Sequence, residues 1–153
     1  MRLIGQLAVL TGISLTASAI HFRISGPPER RVSCDPSNLK AHEICLDQVM
    51  ARWKGKVLWV DARTRKEWQA DGVPGSILWS LDPAEDAFKF EEDAMNHLME
   101  EPPAVIVYCG EGNCGLSHQV VEKILKFDLT KDVYALHGGV GALRAARMLK
   151  GSN

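Results

Sequence analysis

This 153-residue chain lacks any excess of positive charge, and cysteine and aromatic side chains are few. Its 18 basic and 19 acidic residues leave a net charge of −1, and no stretch concentrates Lys or Arg into a stripe. Nucleic-acid affinity comes mainly from neutralising phosphates, so that class of partner is excluded first. Four cysteines are too few for a disulfide-dense miniprotein, and no internal repeat supports a solenoid or collagen-like chain. The four tryptophans, Trp53, Trp59, Trp68 and Trp79, are dispersed and read as packing residues. What the chain does have is 46% hydrophobic and 24% charged residues, enough apolar material for one buried core. The small net charge hides an asymmetry. Residues 1–33 carry four arginines against Glu29 alone, a local +3, and the remainder carries −4.

From Leu3 to Ile20 no charged residue occurs. As a helix those 18 residues would rise about 27 Å, close to the roughly 30 Å of a bilayer's hydrocarbon core. Two readings follow. One is a single-pass anchor over residues 1–20 in a bacterial cell membrane; the other is an export signal cleaved after Ala17-Ser18-Ala19. Arginines flank the segment on both sides, so the positive-inside rule does not assign a side. Residues 21–38, with Gly26-Pro27-Pro28 and Asp35-Pro36-Ser37-Asn38, read as a linker, and residues 39–150 as the folded domain.

Within that domain short apolar runs alternate with helical patterns. Ile44-Cys45-Leu46, Val57 to Val60, Ser76 to Trp79, Ala104 to Tyr108 and Val133 to Leu136 are the predicted strands. A helix capped by Asp47 is expected through Trp53. Further helices are expected after a Thr64–Glu67 capping box, over 84–100, over Leu116–Phe127 and over Ala142–Leu149. Continuous apolar runs suit strands buried on both faces. The expected fold class is therefore α/β, a doubly wound parallel five-stranded sheet with helices on both sides.

Ligands of such sheets bind beyond the carboxyl ends of the strands. Beyond Val105–Tyr108 stands Cys109-Gly110-Glu111-Gly112-Asn113-Cys114-Gly115, leading into a helix. Glycines let successive amides converge, and a helix start adds positive potential, so this loop can stabilise a thiolate and an anion bound to it. Cys114 is a candidate resolving thiol that would close a disulfide with Cys109. A zinc reading would gather Cys109, Cys114, His118 and His137; it is set aside here, and His118 reads as a surface or core residue. Cys34 and Cys45 receive no role.

Three segments, in order, resemble the single-domain rhodaneses, a sulfurtransferase family. They are Asp61 to Trp68 followed by Val73-Pro74-Gly75-Ser76-Ile77, the loop from Cys109 to Asn113, and Leu136-His137-Gly138-Gly139. The resemblance covers about residues 42–148. It implies the rhodanese-like fold and a sulfane sulfur held on Cys109 as a persulfide, cradled by the amides of Gly110, Glu111, Gly112, Asn113, Cys114 and Gly115. It also implies Asp61, Arg63 and Glu67 as structural support, a small sulfur donor (thiosulfate or a persulfide) and a thiol acceptor (small or on a protein) as partners, and no metal or organic cofactor. The chain departs from the family's pattern at Gly110 and Cys114, where active members often carry basic residues, at Gly72 and over Val140-Gly141-Ala142. Residues 110–118 contain no arginine, which excludes the phosphate-holding loop of related phosphatases. Two rival functions remain: a dithiol redox protein using Cys109 and Cys114, and a catalytically silent binding module.

Overall fold

The structure, a computed structural model, describes residues 33–110 and 114–151. The expected membrane or signal segment lies outside them, as do most of the linker and loop residues Glu111, Gly112 and Asn113. Among the described residues no helix is long and apolar enough to cross a membrane.

Five strands form one sheet, β1 (Glu43–Ile44), β2 (Leu58–Asp61), β3 (Ile77–Leu78), β4 (Val105–Tyr108) and β5 (Val133–Leu136). Their spatial order is β1-β5-β4-β2-β3, and every pairing is parallel. The strand that carries Cys109 is thus the central one. Side chains alternate across it. Val105 and Val107 enter a core with Phe90, Ala94 and Leu98 of α3 (Ala87–Leu98) and Val120, Val121 and Ile124 of α4 (Cys114–Leu125). Ile106 and Tyr108 enter the opposite core with Val49 of α1 (Leu46–Trp53) and Val140 and Leu143 of α5 (Gly139–Ala145). All four β4 side chains are fully buried, which is why this strand reads as a continuous apolar run. Trp59 and Trp79 are core residues, and Trp53 and Trp68 pack at its margins.

Several boundaries differ from expectation, each for a local reason. Cys45 is not in β1. Its extended backbone caps α1, and its amide donates to Gln48 Oε1 at 3.0 Å, so Asp47 sits in the first turn rather than at the cap. α4 begins at Cys114, two residues earlier than read, and α5 begins at Gly139 and ends at Ala145 rather than spanning 142–149. The start of α5 was hidden by glycines, which score poorly as helix formers. Gly138 at φ 76° turns the chain into it. The short helix α2 (Arg65–Asp71) begins at the expected capping box: the Thr64 amide and hydroxyl donate to Glu67 Oε2 at 3.1 and 2.6 Å.

The structure corrects the reading of Cys34 and Cys45. They are joined in a disulfide, with Cα atoms 5.7 Å apart and a sequence separation of 11. The bond ties the end of the expected linker, including the 3₁₀ turn Pro36–Asn38, to the cap of α1. A loop of this length confines the unfolded chain by about 3 kcal/mol. Reducing the folded protein, or replacing both cysteines by Ser, should lower unfolding stability by about 2–3 kcal/mol. Urea unfolding with and without reductant would show it, with the reductant effect absent in the double variant.

Candidate active site

Cys109 follows directly on β4 and is fully buried. Continuing the alternation of β4 sends its side chain toward the α3/α4 face, where the Ser117 hydroxyl of α4 lies 3.6 Å from Sγ in donor geometry. A hydroxyl donor favours sulfur in its anionic state. The helix that supplies Ser117 starts at Cys114, so its first turn lies close in sequence to the sulfur. The amino end of a helix also carries positive potential. Glu111, Gly112, Asn113 and the Cys114 side chain lie outside the described residues. The described part of the loop therefore consists of Cys109, Gly110, the backbone of Cys114 and Gly115.

On the opposite side the backbone of Cys109 is held by the start of α5. Val140 N–H donates to Cys109 O at 2.8 Å. A Cβ on Gly139 would stand 2.5 Å from that carbonyl oxygen, and Gly139 itself has φ 49°. Only glycine permits this approach, which gives Leu136-His137-Gly138-Gly139 a physical meaning: it seats the backbone beside the thiol.

Tyr108 does similar work through its side chain. Its hydroxyl accepts the Val73 amide at 2.9 Å and lies 3.3 Å from Ser76 Oγ, which in turn donates to Val73 O at 2.7 Å. Trp68 Nε1 donates to Ser76 Oγ at 3.1 Å. The Val73-Pro74-Gly75-Ser76 turn is thus pinned to the residue preceding Cys109. Burial, and then the nearby Asp61 carboxylate, push the Tyr108 phenol well above its ordinary value, so it remains a neutral hydrogen-bonding group. Tyr108 and Ser117 have no role at the site in the sequence reading, and Ser76 enters it only as part of the Val73-Pro74-Gly75-Ser76-Ile77 segment. A polar atom at the end of an otherwise apolar strand was the available signal for Tyr108.

Asp61, Arg63 and Glu67 do not reach the sulfur in the contacts seen. Asp61, at the end of β2, is fully buried and takes the Arg63 guanidinium through Nε at 3.0 Å and Nη2 at 2.8 Å. Arg63 Nη1 reaches Asp71 at 2.8 Å, and Asp71 is also 3.4 Å from Arg144 Nη2. The guanidinium lies over the Tyr108 ring at 5.6 Å. Burial tends to lower its basicity, but hydrogen bonds to Asp61 more than reverse this, so it stays charged. Glu67 serves the α2 cap, and the Thr64 hydroxyl holds its carboxyl below the usual value.

A groove of about 410 Å³ opens here, its lining including Gly110, Leu116, Arg63, Thr64, Glu67 and Asp82. It gives the described molecule an approach to the start of the cysteine loop.

A second polar group stands nearby. Glu43 on β1 (side chain 6% exposed) faces His118 Nε2 at 3.7 Å and His137 Nδ1 at 3.6 Å. His118 therefore meets a carboxylate and is not a bare surface side chain. Among the described residues no group of three or more His, Cys, Asp or Glu is arranged to hold a metal ion.

Compared with known proteins, the chain matches the rhodanese-like domain family over residues 46–146. It belongs to that family. No curated protein matches the chain.

Two outcomes follow from this geometry. Truncating Arg63 to Ala leaves the buried Asp61 carboxylate without its partner and should cost about 3–5 kcal/mol, measured by urea unfolding. Burial raises the Glu43 carboxyl, but the Lys40 amide and the neighbouring His137 and His118 outweigh it and hold the carboxyl below the ordinary 4.5. A depressed folded value means stability that is present above 4.5 and lost as pH falls through the folded value. The stability difference between wild type and Glu43→Gln should therefore shrink as pH is lowered below that point, in unfolding midpoints taken across pH.

Proposed function

We propose that this protein is a sulfurtransferase that carries a sulfane sulfur on Cys109 as a persulfide. The observation that supports this most is the placement of Cys109: a buried thiol at the carboxyl end of the central strand, facing a hydroxyl donor from the following helix. The hydroxyl donor favours the thiolate, the form that attacks sulfur.

The chemistry balances without an external oxidant. The Cys109 thiolate attacks the outer sulfur of a persulfide donor; a new S–S bond forms as the donor's S–S bond breaks, and the donor leaves as its thiolate. An acceptor thiolate then attacks the same outer sulfur, taking it away as a new persulfide and restoring the Cys109 thiolate. The donor is a small sulfur compound and the acceptor a thiol, on a small molecule or a protein. Ser117 stabilises the anion at each return to thiolate. Asp61, Arg63 and Glu67 support the walls of the site and take no part in bond making.

The Cys34–Cys45 disulfide favours an oxidising compartment. With the uncharged run over residues 3–20, it supports a location outside the cytoplasm, as a tethered or exported protein.

Intact-mass analysis of the protein exposed to a persulfide donor tests the reading. A gain of one sulfur atom, absent in Cys109→Ala, is the expected result. Loss of two hydrogens instead, mapped to a Cys109–Cys114 bond, would assign a dithiol redox function, and an unchanged mass with every donor would leave a binding module.

A further inference from the structure

We infer that the groove beside Cys109 selects sulfur compounds by positive charge: the donor or acceptor presented there carries an ammonium or similar cation rather than an oxyanion. The inference rests on the sulfurtransferase reading and narrows its substrate class.

The argument begins with the one cation among the described residues lining the groove, Arg63. It is not available to an anion. Its side chain is 4% exposed, its Nε and Nη2 are committed to Asp61, and its Nη1 to Asp71. Asp71 in turn meets Arg144, so these two arginines and two aspartates together carry no net charge.

Glu67 and Asp82 remain. Both line the groove, and the hydrogen bonds seen at each come from uncharged groups: the Thr64 amide and hydroxyl for Glu67, the Ala84 amide for Asp82. The Thr64 hydroxyl helps to keep Glu67 ionised at neutral pH. A sulfur compound approaching Gly110 therefore passes two carboxylates that, among the described residues, form no ion pair within contact distance, with Arg63 acting on Glu67 only through space. The remaining polar lining, such as Ser80, is neutral. An oxyanion is repelled on this route, and an aminothiol or a basic peptide bearing a thiol is attracted. Two full charges acting through water over about 7 Å, in moderate salt, separate a monocation from a monoanion by on the order of tenfold in rate.

The test uses thiol reagents of matched size and opposite charge. Modification of Cys109 by 2-aminoethyl and by 2-sulfonatoethyl methanethiosulfonate is followed by peptide mass, each rate divided by that reagent's rate with 2-mercaptoethanol. The same protein is then loaded with cysteamine persulfide and with 3-mercaptopropionate persulfide. The cationic member of each pair should react about tenfold faster, with the ratio falling as salt is raised. The double variant Glu67→Gln, Asp82→Asn removes both charges while keeping an oxygen acceptor at each cap, and Gln is itself a capping-box residue. In that variant the ratio should fall to about one, with the fold checked by circular dichroism.

Equal rates in the wild type, or a ratio that the double variant leaves unchanged, would overturn the inference. So would a Cys109 that neither reagent reaches, because the groove would then not lead to the sulfur. Failure of the underlying reading looks different: the reagents discriminate by charge, yet Cys109 gains no sulfur from either persulfide.

Discussion

The Arg63 guanidinium, closed between Asp61 and Asp71, organises the region around the cysteine. Asp61 ends β2 next to the central strand, and a carboxylate buried there without a counter-ion would be several kcal/mol out of balance. Arg63 supplies that counter-ion from two residues away and spreads over the Tyr108 ring. Tyr108 in turn grips the Val73–Ser76 turn, and the next residue is Cys109. One ion pair thus links the ends of β2 and β4 to the turn before β3. The strongest charge in the neighbourhood is used to hold the scaffold, which leaves the groove's electrostatics to its carboxylates.

The site is held from several independent directions. Tyr108 grips the chain just before Cys109, Val140 takes its carbonyl, and Ser117 approaches its sulfur. These contacts come from the turn before β3 and the start of α5, both distant in sequence, and from α4, which follows the loop directly. Preorganisation of this kind keeps a nucleophile in place while small partners change around it, and most of the cost is met in folding rather than at each turnover.

Much of this was legible in the sequence. Val105 to Tyr108 could be read as a buried parallel strand because both faces are covered, and Thr64 with Glu67 announced a helix start by spacing alone. Cys109 stood out because it follows such a strand and precedes glycines and a helix. Other features depend on what touches what. The role of Ser117 follows from the phase of α4, set by a start at Cys114 that the pattern placed two residues later. Gly138 and Gly139 look like a loop until a carbonyl is found where a Cβ would go. Cys45 reads as a strand residue by its neighbours, yet its conformation is that of a cap. Its bond to Cys34 requires two backbones to converge, which no spacing along the chain reveals. The pairing of Glu43 with two histidines likewise joins three separate elements.

The same disulfide decides how the domain meets mechanical load. β1 is a strand of two residues at the edge of the sheet, and an edge ladder that short peels easily. Tension entering from the amino-terminal direction reaches Cys34 before it reaches β1, and there it passes through a covalent bond into the cap of α1. The edge strand lies inside the closed loop and is shielded from the pull. Load taken up at Cys34 would be borne by sulfur and by the packed helix. The hydrogen bonds that align β1 with β5, and with them Glu43 opposite His137, would go unstrained.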